Sequence, residues 1–401
     1  MTLGDELQAR GLVEHTSAPL EKILDKKRTI YLGVDPTADS MQAGNLVVVL
    51  LLKRLSDAGH TVMLLVGGGT AMIGDPKEKG ERSLADEKTV ARNARAMKAQ
   101  MERIIGRSVP VVNNAAWLTK VKLVPFLRDI GKHFTVNELI KRDLIKRRLE
   151  TPDESISYTE FAYSLLQGYD YLHLHKTKGV DVQIGASDQW TNILSGVELI
   201  RRKEGKEAYA LVCPLVTDTS GKKFGKSEGN AVWLDPKKTS PFEFYQFWIN
   251  QPDAVVEKYL KMYTFLSLHD IEVLMEEHEK NPSLRLAQKK LAAEVTEIVH
   301  GRHETTGAVN ASIALFSKGS TSTDLSSLPS VPVSSDGTIV AMGAEGFGIS
   351  KSEMRRLIEA KGVRINGDVV ESDRVFIDTD FTEGIAVLQK GKTEKIVIRK
   401  I

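Results

Sequence analysis

Between Thr29 and about Val216, short apolar runs of strand character alternate with helical patterns, and this rhythm restricts the fold more than any other feature of the chain. "TIYLGV", "TVMLLVGG", "VPVVNN", "VDVQIG" and "AYALVCPLV" are the strand-like runs, and helical periodicity opens near Gly44, near Ala85 and again before "VDVQIG". Such alternation predicts a parallel sheet flanked by helices, a Rossmann-like α/β fold, with ligands gathered at the carboxyl ends of the strands. Most polar motifs of the chain fall at those ends.

The remaining stretches read differently. Residues 118–150 are helical and basic, with nine Lys or Arg against four acids, and read as an insertion between the two halves of the sheet; a solvated face and an RNA or subunit contact are both open there. Residues 236–316 carry helical periodicity with aromatics gathered in "FEFYQFWIN", mostly core by ordinary burial preference, and are predicted to form an α-helical domain. Ten Ser or Thr among the twenty residues 317–336 predict a linker, because so little apolar surface cannot offset chain entropy. Residues 337–401 form a compact helix-turn-hairpin pattern, a small α+β module. A length of 401 residues fits such a multidomain chain.

A formal charge of +2 provides no global field for nucleic acid, so any such contact rests on local basic patches. Cys213 stands alone, which excludes an intramolecular disulfide and argues against a cysteine-based zinc site. The charged, amphipathic start "MTLGDELQARGLVEHTS" lacks an apolar secretory core, and no run reaches the roughly 18 apolar residues of a membrane span. The expectation is a cytoplasmic protein with no membrane contact.

Five stretches carry chemistry. In "DPTADSMQAGN", Gly44 lets a nucleotide approach a helix start where free NH groups favour negative charge, and Asp35, Thr37, Gln42 and Asn45 add donors and acceptors; ordinary turn and N-cap chemistry explains the same residues. "VGGGTAMIGDPKEKGERSL" follows a strand with Gly67, Gly68, Gly69 and Gly74, then Asp75, Lys79 and Arg82, a cationic segment able to close over phosphates or a plain solvated turn. "TEFAYSLLQGYD" sets Tyr163, Gln167 and Asp170 on one helix face, where a phenol, an amide and a carboxylate each need a partner. "VQIGASDQW" ends a strand with Gln183, Asp188 and Gln189. "GKKFGKSEGN" puts Lys223, Lys226 and Ser227 on a glycine-rich loop that suits a polyphosphate neutralised only while it reacts, although such loops are common on surfaces.

Together with "FLRDIGKHF", "AVWLDPKKTSP" and "FYQFWIN", these ordered motifs over roughly residues 1–316 resemble the bacterial tyrosyl-tRNA synthetases, class I aminoacyl-tRNA synthetases. "QAGN" sits where the family has His-x-Gly-His, and "KFGKS" where it has Lys-Met-Ser-Lys-Ser. The C-terminal "KSEMRRLIEAKGVRINGD" resembles the family's S-four-type RNA-binding module. The resemblance implies a catalytic domain over residues 1–235, an α-helical tRNA-binding domain over 236–316, a linker over 317–336 and an RNA-binding module over 337–401.

It also implies an activity. Tyrosine is activated by ATP, with magnesium, to tyrosyl-adenylate and pyrophosphate, then passed to the 3'-terminal adenosine of tRNA(Tyr). Tyr31 and Asp170 match the groups that bond the substrate phenol. Tyr163, Gln167 and Asp75, with Thr70 nearby, match those at the ammonium; Gln189 and Asp188 match positions at the substrate carboxylate and the ATP ribose. Asp35, Gly44, Asn45, Lys226 and Ser227 fall on the ATP side. Thr37 and Gln42 face the departing pyrophosphate, with Lys79, Arg82, Lys223 and Lys226 closing over it, and no protein-bound metal is implied. Arg355, Arg356, Lys361 and Arg364 are the expected RNA contacts. Family members are homodimers, and the segment around "FLRDIGKHF" is the expected subunit contact.

Three departures matter. Gln42 and Asn45 replace both histidines, keeping donors while giving up a group that can turn cationic, and Ala186 replaces a glycine before Ser-Asp-Gln-Trp. The stretch after "GDP" is about one residue short, which unsettles the place of Arg82. A degenerate RNA-binding paralogue, a binding protein for small aromatic ligands, and a tryptophan-specific enzyme are the competing readings; a buried carboxylate at Asp170 matches a phenol better than an indole.

Overall fold

The computed structural model describes residues 1–76, 86–216, 226–227, 230–316, 330–333, 337–382, 384–391 and 394–400. All five predicted strands form. With β1 (His15–Thr16), they are β2 (Thr29–Val34), β3 (Thr61–Val66), β4 (Val111–Asn113), β5 (Val182–Ala186) and β6 (Tyr209–Cys213), in the order β1-β6-β5-β2-β3-β4. Strands β2 to β6 run parallel and β1 closes one edge antiparallel. The chain leaves β2 towards β3 while β5 lies on its other side, so the order reverses at β2. That is where an open α/β sheet forms a ligand crevice.

The helix after β2, Ala43–Asp57, buries Leu46 through Leu52 without interruption. An apolar surface all round is the mark of a helix enclosed on every side, and it fixes this helix's first turn firmly over the crevice. Residues 118–150 hold the helices Leu123–Asp129, Val136–Leu139 and Asp143–Glu150 between β4 and β5, a helical insertion.

Two compact units emerge: residues 1–238 with 251–291, and residues 239–250 with 292–401. The helical segment expected over 236–316 is thus divided between them. Helix Asp253–Tyr263 and the residues up to 291 join the first unit, because Arg10 donates to the carbonyls of Lys261 and Leu266 and Arg54 to that of Thr264. Helix Pro241–Ile249 instead pairs with Arg302–Phe316 in the second unit, where Gln246 Nε2 donates to Ser312 Oγ at 2.9 Å.

The second unit ends in a five-stranded sheet ordered β11-β10-β12-β13-β9, from β9 (Ser330–Val333), β10 (Val363–Ile365), β11 (Asp368–Val369), β12 (Ile385–Lys390) and β13 (Glu394–Lys400). Its core includes Ile339, Met354, Val363, Leu388 and Ile398. Strand β9 lies inside the stretch expected to be linker. "SVPV" forms it because alternate apolar residues lie parallel against β13, with Val333 buried, so serine content concealed a strand.

Candidate active site

A cavity of about 330 Å³ opens at the carboxyl ends of β2, β3 and β5. Tyr31 on β2 and Gln183 on β5 are register partners, so their side chains emerge on one face. Both are buried, and both Tyr31 Oη and Gln183 Oε1 lack a hydrogen-bond partner. Buried polar atoms of this kind are costly unless a ligand satisfies them.

Opposite stands Asp170, from the helix Tyr158–Lys178, 2% exposed. Its carboxylate accepts from Asn114 Nδ2 at 2.8 Å and Trp117 Nε1 at 2.7 Å. Burial raises the Asp170 carboxyl to about 7, although those two donors pull the other way. Neither Asn114 nor Trp117 is marked by any sequence motif; each acquires its role only because the end of β4 meets this helix.

A second carboxylate, Asp35, accepts from Thr70 Oγ1 at 2.7 Å and Tyr163 Oη at 2.8 Å. Asn114 Nδ2 also donates to Thr70 Oγ1 at 3.0 Å, linking both carboxylate clusters through one amide. Burial, then the charge of Asp35, pushes the Tyr163 phenol well above its usual range. The glycines after β3 answer to this packing. A Cβ on Gly67 would fall 1.8 Å from Asp35 Oδ1, and one on Gly68 would fall 2.2 Å from Asn113 Oδ1.

The third carboxylate, Asp75, accepts from Gln189 Nε2 at 3.0 Å and Asn192 Nδ2 at 3.2 Å. Gln167 lines the cavity between the groups already described, and Asp188 lines it beside Gln189. Thus Tyr31, Asp35, Thr70, Asp75, Tyr163, Gln167, Asp170, Asp188 and Gln189, all singled out from the sequence, face one space.

Thr37, Gln42, Gly44 and Asn45 line its other end. Gln42 caps the helix Ala43–Asp57, and its backbone NH donates to Asn45 Oδ1 at 3.2 Å. That bond commits the oxygen and leaves the Asn45 amide as a donor. The turn is held by a distant segment: Ala43 N donates to Val232 O and Leu234 N to Met41 O, both at 2.9 Å. Gln100 helps, accepting from Met41 N at 3.0 Å and donating to Ser40 Oγ at 2.9 Å. Gln100, too, has no signal in the sequence beyond its place on a helix.

Lys79, Arg82 and Lys223 lie outside the described residues. Lys226 and Ser227 form the short strand β7, paired with β8 (Asn230–Ala231); their side chains lie outside the description. In the second unit Arg355, Arg356, Lys361 and Arg364 are all exposed, and Arg364 donates to Gly367 O at 2.9 Å.

Comparison with known proteins gives the same picture along the sequence. Residues 24–317 match the family of tRNA synthetases class I (W and Y), and residues 342–375 match the S4 domain. The tyrosine–tRNA ligase of Bacteroides thetaiotaomicron is 41% identical over 98% of this chain and 98% of its own. That of Roseiflexus castenholzii is 43% identical over 100% of each. A C-terminally truncated mitochondrial tyrosyl-tRNA synthetase from Aspergillus nidulans superposes with a TM-score of 0.69 at 32% identity, over 77% of this chain and 92% of that one.

Proposed function

The chain belongs to the tyrosine–tRNA ligase family of class I synthetases, and on that premise we infer how its own residues divide the work. The reaction has two steps. Tyrosine and ATP give tyrosyl-adenylate and pyrophosphate, and the tyrosyl group then passes to the 3'-terminal adenosine of tRNA(Tyr).

The buried, unpartnered hydroxyl of Tyr31 beside Asp170 carries this reading. A substrate phenol donates to the Asp170 carboxylate and accepts from Tyr31, satisfying both. Phenylalanine leaves them unmatched. Sites built around a hydroxyl reject the analogue lacking it by roughly ten-thousand-fold or more, for which this enzyme family is itself the standard example. Asp75, Tyr163 and Gln167 receive the ammonium with Thr70 behind them, and Gln189 takes the substrate carboxylate.

Across the cavity Asn45 and Asp188 hold the ribose, with Gly44 allowing close approach and Asp35 bracing the junction. ATP enters as its magnesium complex. Thr37 and Gln42 donate to the leaving pyrophosphate, while Lys79, Arg82, Lys223 and Lys226 supply positive charge to it and Ser227 a hydroxyl. Phosphoryl chemistry needs positioning and charge neutralisation more than a general base, which fits a site of amides, hydroxyls and carboxylates. Neither Gln42 nor Asn45 titrates near neutrality, so this stretch adds no histidine-like step of its own near pH 6 to 7.

The exposed Arg355, Arg356, Lys361 and Arg364 contact the tRNA backbone. A homodimer forms through the insertion, where Leu123, Val124, Leu127, Val136 and Ile140 expose apolar surface. No helix among the described residues is long and apolar enough to cross a membrane, and a cytoplasmic location is part of the proposal. Exchange of pyrophosphate into ATP tests the first step: dependence on tyrosine is expected, whereas dependence on tryptophan, or no exchange, overturns the assignment. Tyrosylation of tRNA(Tyr) tests the second.

A further inference from the structure

We propose that Arg142, on the helical insertion, is a positioning residue that orients the ammonium subsite through Asn192; the proposal rests on the functional reading above. Its guanidinium donates to Asn192 Oδ1 at 3.3 Å, to Ser195 Oγ at 2.6 Å and to Ser164 Oγ. Ser164 Oγ donates in turn to the same Asn192 oxygen at 3.0 Å. On the other side, Asn192 Nδ2 reaches Asp75 Oδ1 at 3.2 Å and Gln189 Oε1 at 3.4 Å, and Gln189 Nε2 reaches Asp75 Oδ2 at 3.0 Å.

The ends of this relay dictate its middle. A guanidinium only donates and a carboxylate only accepts, so the two amides between them have a single consistent orientation. Turning Asn192 over would set NH₂ against Arg142 and Ser164, and oxygen against Asp75. Turning Gln189 over would set its oxygen against Asp75. With one amide hydrogen on each oxygen, the Asp75 carboxylate is fixed in plane for a substrate ammonium. Arg142 adds charge as well as direction: burial lowers its guanidinium to about 10, and the charge of Asp75, then Glu138, draws it back up.

The contribution therefore falls first on the amino group, through both Asp75 oxygens, and reaches Gln189 from Asn192 only through the longer 3.4 Å contact. Arg142 does not touch the phenol end, where Asp170 is held by Asn114 and Trp117. Loss of a charged hydrogen-bonding anchor of this kind corresponds to about tenfold in affinity.

The test compares binding of L-tyrosine with that of its deaminated analogue, 3-(4-hydroxyphenyl)propionate, by calorimetry on the full chain. For Arg142→Met the tyrosine Kd should rise about tenfold and the analogue's less than about twofold, with Arg142→Lys between the wild type and Met because it keeps charge but not the fork. In pyrophosphate exchange the KM for tyrosine should rise and that for ATP stay. Should Arg142→Met not fold, Asn192→Ala breaks the relay from its centre and must show the same selective loss. Equal weakening of both ligands, or of neither, overturns the proposal. An unsubstituted protein that binds no tyrosine would instead overturn the functional reading, and this inference with it, before any variant is compared.

Discussion

At the scale of single residues, the site is governed by what its carboxylates can tolerate. Asp170 titrates near 7 in the folded chain against 3.8 unperturbed, so the folded state holds its proton longer than the unfolded one. Stability attributable to this residue is therefore intact below about pH 4 and declines as the pH rises towards 7. Urea midpoints measured across that window should fall in the wild type relative to Asp170→Asn, whose curve lacks this component. The Asn variant should also start lower, by about 1 to 3 kcal/mol, because Asn114 and Trp117 reach different oxygens of the carboxyl and an amide puts NH₂ in place of one, so one buried donor loses its partner. Gly67 gives a steric counterpart. A methyl there would lie 1.8 Å from Asp35 Oδ1, so Gly67→Ala must expel the carboxylate that holds Thr70 and Tyr163. A loss of about 1 to 3 kcal/mol in thermal unfolding, with adenylate formation strongly reduced, is the expected result.

At the scale of elements, legibility tracks how local each signal is. Strands β2 and β3 were readable because their apolar runs are bounded by turn residues, and the face of helix Tyr158–Lys178 was readable because Tyr163, Gln167 and Asp170 obey helical spacing. Strand β1 was not, since two residues, His15 and Thr16, carry no period and are strand only by pairing with β6. Asn114, Trp117 and Arg142 were missed for a related reason: their partners lie on other elements, and spacing in sequence says nothing about such meetings. Trp117 makes this testable. It stacks on His173 with ring centroids 4.3 Å apart while its NH serves Asp170. Trp117→Phe keeps an aromatic ring for the stack and removes the donor. The KM for tyrosine in pyrophosphate exchange should rise by the equivalent of about 1.5 to 3 kcal/mol, the range for a hydrogen bond to a charged group, and the KM for ATP should not.

At the scale of the whole molecule, the two compact units assign different costs to losing the C-terminal module. Ala311, Ala314 and Leu315 pack against Ile385 and Val397, and Lys395 Nζ donates to Leu315 O at 2.6 Å. A chain stopped after residue 316 should still form tyrosyl-adenylate and fail to charge tRNA, but with a lower melting temperature from this newly exposed surface. In the intact chain, replacing Arg355, Arg356, Lys361 and Arg364 one at a time by Ala should reduce the slope of log affinity for tRNA against log salt by roughly one for each phosphate that is no longer neutralised. The proposed homodimer is tested by Leu127→Glu, on the exposed apolar face of the insertion: the unsubstituted chain should sediment as a dimer and the variant as a monomer.

The hold that Val232 and Leu234 keep on Met41 and Ala43 also sets an order of events during synthesis. A nascent chain delivered as far as Cys213 already contains all six strands of the first sheet and every described side chain assigned to tyrosine. The turn assigned to ATP still lacks the segment that pins it from behind. The tyrosine half of the cavity is thus fully encoded before the nucleotide half, whose turn gains its backbone partners only once Leu234 has emerged, and the unit that carries both is complete only at residue 291.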